Sequence, residues 1–204
     1  MLKGLILILS TDKGSPEFLL KLAAQSIQGG IDSLQLRHKG MYTPELFSLG
    51  QELVNVCRRA AIPLIVNDRI DIALALEASG VHLGQTDVPV PIARKLLGKD
   101  KIIGGTASNL EEALHLEKQD VDYIGIGHIF PTTSKLKHGP PLGVKSLGQI
   151  VQRVNAPLIA IGGINAENLE LVYAAGVQGA AVISSITDSE DPCFQTKQLK
   201  KMMR

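Results

Sequence analysis

Short runs rich in Ile, Val and Leu recur along the chain at residues 4–9, 33–36, 63–66, 80–83, 101–104, 123–126, 157–161 and 179–183. Most show no clean alternation of apolar and polar positions. Strands covered on both faces read this way, because a parallel sheet packed between other layers has no wet face. Between the runs the period changes to that of a helix. Residues 44–59 place Leu46, Leu49, Leu53 and Val56 at spacings of three and four, and residues 110–117 repeat the pattern on a shorter face. Helix starts are marked by Thr43, a capping residue ahead of Pro44 and Glu45, and by Asn109, three residues ahead of Glu112. Gly29, Gly30, Gly80, Gly176 and Gly179 fall where helices end or strands begin.

Eight strand-like runs alternating with helical stretches predict an α/β fold, a (β/α)8 TIM barrel occupying residues 1–204 as a single domain. The rival is an open doubly wound sheet, which binds its ligand beside a glycine-rich first turn. The sequence STDKG at 10–14 carries no dinucleotide fingerprint, and this favours the barrel.

Composition narrows the function. A chain of 204 residues, 45% hydrophobic, supports one sizeable core and not two ordinary domains. With 21 Lys and Arg against 20 Asp and Glu the net charge is +1, which excludes a nucleic-acid clamp built on bulk charge. Aromatic residues make up 3% with no Trp, so there is no stacking platform for single-stranded nucleic acid. Cys57 and Cys193 form neither a metal-ligand spacing nor a disulfide framework, which suits a reducing compartment. The apolar stretch at 5–9 is too short for a membrane span and is followed by no signal-cleavage pattern. The expectation is a soluble, cytoplasmic protein that binds small molecules, not nucleic acid or membrane, with its basic end at 197–204 packed as a last helix. Its oligomeric state is left open, a homodimer being one option.

Active sites of such barrels form at the carboxyl ends of the strands. The polar residues expected there are Gln35, Arg37 and Lys39, then Asn67 and Asp68, Asp87, Thr106, the segment from Thr132 to Lys135, Gly162 and Gly163, and Ser184 with Ser185. Arg37, Lys39 and Lys135 suit charge-assisted bonds to phosphate oxygens. Asp68 and Asp87, on neighbouring strand ends, suit Mg²⁺, which needs only one or two carboxylates beside phosphates and water. Gly162, Gly163 and the segment after Ile183 can offer backbone N–H groups to a phosphate monoester. Two anion subsites in one mouth imply two phosphorylated ligands, and hence a transferase. Plainer readings exist: Asp68 beside Arg69 as solvated charge, Asp87 as a cap on the fourth helix, Lys39 as a loop residue, His82 as a hydrogen-bonded core histidine, and His115 and His138 as solvated surface.

The motifs QLRHK (35–39), VNDR (66–69), GVHLGQTD (80–87), FPTTSK (130–135), AIGGI (160–164) and AVISSI (181–186) resemble thiamine phosphate synthase, in order and spacing, from Leu5 to Ile186. The resemblance implies condensation of 4-amino-2-methyl-5-hydroxymethylpyrimidine diphosphate with a thiazole phosphate. It implies that Gln35 faces the pyrimidine, that Arg37, Lys39, Asn67, Thr106 and Lys135 hold the diphosphate, and that Asp68 and Asp87 carry Mg²⁺. Thr132, Thr133, Ser134, Gly163, Ile183 and Ser184 would hold the thiazole phosphate. Arg37, Lys39 and Lys135 are then the expected catalytic cations. Thr106 departs from the family's usual serine, keeping the hydroxyl and adding a methyl group. His128 stands where the synthases usually have proline. The related thiazole tautomerase branch uses a histidine in such a segment, so His128 is a candidate acid–base group. That reading does not need Lys39, Asn67, Asp68 and Asp87 together, which favours the synthase. A third reading is a catalytically silent paralogue that binds thiamine phosphates to regulate another process.

Overall fold

Side chains of the first strand, β1 (Gly4–Ser10), part in two directions. Leu5, Leu7 and Leu9 join a large apolar layer, whereas Ile6 and Ile8 belong to a smaller cluster with Ile65, Tyr123, Ile159 and Ala181. Both sides are buried, and this is why the run shows no polar alternation.

In this computed structural model, described for residues 2–38, 40–132 and 139–203, the division repeats around a barrel. The further strands are β2 (Ser33–Arg37), β3 (Leu64–Asn67), β4 (Gly80–Leu83), β5 (Ile102–Ala107), β6 (Tyr123–Gly127), β7 (Leu158–Ile161) and β8 (Gly179–Val182). Each pairs in parallel with the next, and β8 closes on β1 with Gly4 opposite Gly179. The sheet is therefore closed, and the open-sheet rival falls away. Every run read from the sequence becomes a strand. Five continue further at their carboxyl ends: β1 to Ser10, β2 to Arg37, β3 to Asn67, β5 to Ala107 and β6 to Gly127.

The outer layer among the described residues consists of α1 (Pro16–Gln28), α2 (Thr43–Arg59), α3 (Ile70–Ala75), α4 (Val90–Leu97), α5 (Leu110–Glu117), α6 (Gly143–Val151), α7 (Leu169–Ala174), α8 (Ser184–Thr187) and α9 (Pro192–Lys201). Helix α2 buries Leu46, Leu49 and Leu53 on one stripe, as its spacing requires. Its cap corrects the sequence reading. Tyr42 occupies the cap position without a side-chain bond, and Thr43 already lies inside the helix. A tyrosine carries no short-chain oxygen to offer the first turn, so α2 starts without a side-chain cap bond. Asn109 does cap α5: its Oδ1 accepts the Glu112 N–H at 2.9 Å, and the Glu112 carboxylate accepts the Ser108 N–H at 2.7 Å. Of the basic end, residues 197–201 lie in α9, with Leu199 fully buried. No helix among the described residues is long and apolar enough to cross a membrane.

Candidate active site

Glycines shape the floor of the barrel mouth. A side chain at Gly104 would put its Cβ 2.1 Å from Tyr123 Cζ, and one at Gly125 would sit 3.0 Å from His82 Cε1. Without those side chains, two rings lie across the barrel, stacked with centroids 5.4 Å apart and planes at 26°. His82 Nδ1 is 2.9 Å from Tyr123 Oη, and His82 Nε2 is 2.8 Å from Thr106 Oγ1. Gln35 Nε2 donates to the same phenol oxygen at 3.5 Å. Tyr123 is 1% exposed, and burial pushes its phenol well above the usual tyrosine range, so it keeps its proton. His82 is thus hydrogen-bonded, as its apolar strand implied, yet it is only half-buried and lines the mouth.

One wall comes from β1 to β4. Register sets Ser10 opposite Arg37. Arg37 Nη1 donates to Ser10 Oγ at 2.8 Å, and Ser10 donates to Asp12 Oδ1 at 2.5 Å. A guanidinium carries five donor hydrogens, so one such bond orients it and leaves others for an anion. Asn67 is buried at the end of β3, and Asp68 follows with φ +65°. In that left-handed turn its N–H donates to the His82 carbonyl at 2.8 Å, tying the end of β3 to β4. Arg69 is engaged elsewhere, in a two-pronged bond to Asp71 at 2.6 and 2.8 Å. That bond holds the Asp71 carboxyl below its usual value and raises Arg69 above its own. Asp87 sits behind Gly84, whose N–H its Oδ2 accepts at 2.6 Å. The cap position of α4 is Pro89, with no side-chain bond, so Asp87 closes the preceding turn and does not cap the helix.

The opposite wall follows β6, β7 and β8. Gly162 and Gly163 have φ of +100° and +66°, where side chains are strained. A Cβ at Gly162 would meet the His128 Cβ at 2.4 Å, and one at Gly163 the Pro131 carbonyl oxygen at 2.5 Å. Asn168 Nδ2 donates to the Gly163 carbonyl at 2.9 Å and holds the turn. Thr132, Ile183 and Ser184 complete this side.

Eleven of the expected residues line one mouth: Gln35, Arg37, Asn67, Asp68, Thr106, His128, Thr132, Gly162, Gly163, Ile183 and Ser184. Asp87 stands one step behind it. Lys39, Thr133, Ser134 and Lys135 lie outside the described residues, as does His138. His115 is exposed, as expected. Among the described residues there is no group of three or more His, Cys, Asp or Glu able to hold a metal. Two carboxylates on adjacent strand ends are a sparse donor set, and such a set fits Mg²⁺ bound with phosphate oxygens and water.

Tyr123, Ser10 and Asn168 were missing from the sequence reading. Tyr123 opens β6 two residues ahead of Gly125 and four ahead of Gly127, and that period of two signalled an inward-facing position.

Residues 5–186 match the family described as thiamine monophosphate synthase. The chain belongs to that family. It is 46% identical over 183 residues to a thiamine-phosphate synthase of Chlorobium phaeobacteroides, covering 90% of this chain and 89% of that one. A thiamine-phosphate synthase of Desulfitobacterium hafniense is 42% identical over 201 residues, 97% of each chain. Among solved structures, a thiamine phosphate pyrophosphorylase from Pyrococcus furiosus superposes with a TM-score of 0.89 at 36% identity, covering 98% of this chain and 95% of that one.

Proposed function

We propose that this member of the family joins 4-amino-2-methyl-5-hydroxymethylpyrimidine diphosphate to a thiazole phosphate, releasing thiamine phosphate and pyrophosphate. The observation that carries the reading is a mouth with two unlike walls. Arg37, Asn67 and Asp68 stand on one side, and the Gly162–Gly163 turn with Ile183 and Ser184 stands on the other. A hydrogen-bonded floor of Gln35, Tyr123, His82 and Thr106 lies between them. A diphosphate with its divalent ion suits the first wall, and a phosphate monoester suits backbone N–H groups on the second.

In this reading Gln35 binds the pyrimidine, and Arg37, Asn67 and Thr106 bind its diphosphate, with Lys39 and Lys135 adding positive charge. Asp68 and Asp87 would hold Mg²⁺, whose charge favours departure of pyrophosphate. The electron-donating ring amino group lets the exocyclic carbon–oxygen bond ionise, and Arg37 stabilises the charge that grows on the leaving oxygen. The glycine wall, with Thr132, Thr133, Ser134 and Ser184, fixes the thiazole phosphate so that the ring nitrogen faces the cationic carbon. Proximity then supplies much of the remaining acceleration. The attacking nitrogen carries no proton, so no general base is required, and His128 serves as a wall packed on Gly162.

The test is incubation of the protein with both precursors, with and without Mg²⁺, following thiamine phosphate by mass. Mg²⁺-dependent formation of thiamine phosphate with equimolar pyrophosphate is expected. A thiazole tautomerase or a binding-only regulator would release no pyrophosphate, and that result would overturn the reading.

A further inference from the structure

We infer that Tyr123 and His82 are positioning residues that set which way the Gln35 amide faces, and thereby make the mouth select a ring with an exocyclic amino group over one with an oxo group. The inference rests on the pyrimidine-binding role given to Gln35 above.

With the Gln35 amide set Nε2 toward the phenol, one consistent order of donors fits the distances. Gln35 Nε2 donates to Tyr123 Oη. The phenol has one proton, and with its oxygen already accepting from Gln35, that proton goes to His82 Nδ1, 2.9 Å away. His82 is then protonated on Nε2, which donates to Thr106 Oγ1 at 2.8 Å. The Thr106 hydroxyl hydrogen is left to point elsewhere, in a residue that lines the mouth. Each link fixes the next, and the reverse order would require the amide to flip.

An amide has two settings. With Nε2 held on the phenol, the carbonyl oxygen is the end left for a ligand. An acceptor pairs with a ring amino group but meets an oxo oxygen lone pair to lone pair. Gln35 is 5% exposed and Tyr123 1%, so bulk water does not repair the mismatch. Gly104 and Gly125 have a part as well, because a side chain at either would push the rings out of register.

The experiment compares the 4-amino pyrimidine diphosphate with its 4-oxo analogue, measuring kcat/KM for pyrophosphate release at saturating thiazole phosphate, and affinity by competition binding of each diphosphate. Wild type is expected to favour the amino ring by about 100-fold or more, the scale of a site whose polar groups are left unpaired by the wrong ligand. Tyr123→Phe should cut that ratio about tenfold or more while leaving the KM for thiazole phosphate unchanged. His82→Leu is the second variant, should the first fail to fold. A merely structural role would lower both rings equally, so an unchanged ratio in a folded variant overturns the inference. If wild type releases no pyrophosphate from either ring, the synthase reading falls. The binding ratio of the two diphosphates to wild type and variant still decides the inference.

Discussion

Asp87 Oδ2 accepts the Gly84 N–H at 2.6 Å, so a carboxylate expected to hold metal also closes the turn at the end of β4. Gly84 lines the mouth, and this turn places the carboxylate behind the site. Asp87→Asn keeps an oxygen for that amide and removes the charge. It should unfold within about 0.5 kcal/mol of wild type while pyrophosphate release falls at least about tenfold. Asp87→Ala should lose the same activity and, in addition, about 1 kcal/mol of stability. Thermal melts beside an Mg²⁺ titration of turnover separate the two effects. Wild-type turnover in Asp87→Asn would remove this residue from the metal site.

The glycine turn at the far wall tolerates no side chain. Gly163 has φ +66° and sits 2.5 Å, at an imagined Cβ, from the Pro131 carbonyl oxygen. Gly163→Ala should cost about 1–3 kcal/mol, the scale of strained backbone positions. The KM for thiazole phosphate should rise about tenfold, with that for the pyrimidine diphosphate changing less than about twofold, because the two walls are separate. Steady-state kinetics with each substrate varied in turn checks this.

At the opposite end of the barrel, Asp122 Oδ2 accepts the Ile103 N–H at 2.7 Å and the Arg94 Nη2 at 2.6 Å, joining α4, β5 and the start of β6. Asp122→Ala should destabilise the fold by about 1–3 kcal/mol, mainly by leaving a backbone N–H without its partner. The site lies at the other rim, so kcat should stay within about twofold of wild type. Urea denaturation and turnover of the same preparation test both halves.

Burial pushes the Cys57 thiol from an ordinary value near 9 up to about 12. Below pH 9 the thiol is protonated in both folded and unfolded chains and its titration has no effect on stability. Between pH 9 and 12 the unfolded chain loses the proton while the folded one retains it, so stability falls with rising pH. Cys57→Ala should flatten that part of the pH–stability curve, measured by denaturant midpoints from pH 8 to 11. In the folded protein at pH 8, Cys57 should also resist alkylation that proceeds once the chain is unfolded.

The sequence by itself determined the barrel. Eight apolar runs and the helical spacing at Leu46, Leu49 and Leu53 depend on local periodicity, and burial on both faces of a strand writes itself directly into residue type. The outlying groups Gln35, Arg37, Asn67, Asp68 and Thr106 were legible for a related reason: polar residues at strand ends contradict a pattern that wants apolar ones. Thr43 lies one position inside its helix, because backbone geometry fixes where a helix begins and residue type marks that point only to within a residue or two. Only the tertiary structure decided that Tyr123, His82, Gln35 and Thr106 form one chain of hydrogen bonds. Those partners stand on different strands, Gln35 and Tyr123 being 88 positions apart. Their meeting depends on barrel closure, inter-strand register and the missing side chains of Gly104 and Gly125, none of which has a local signature.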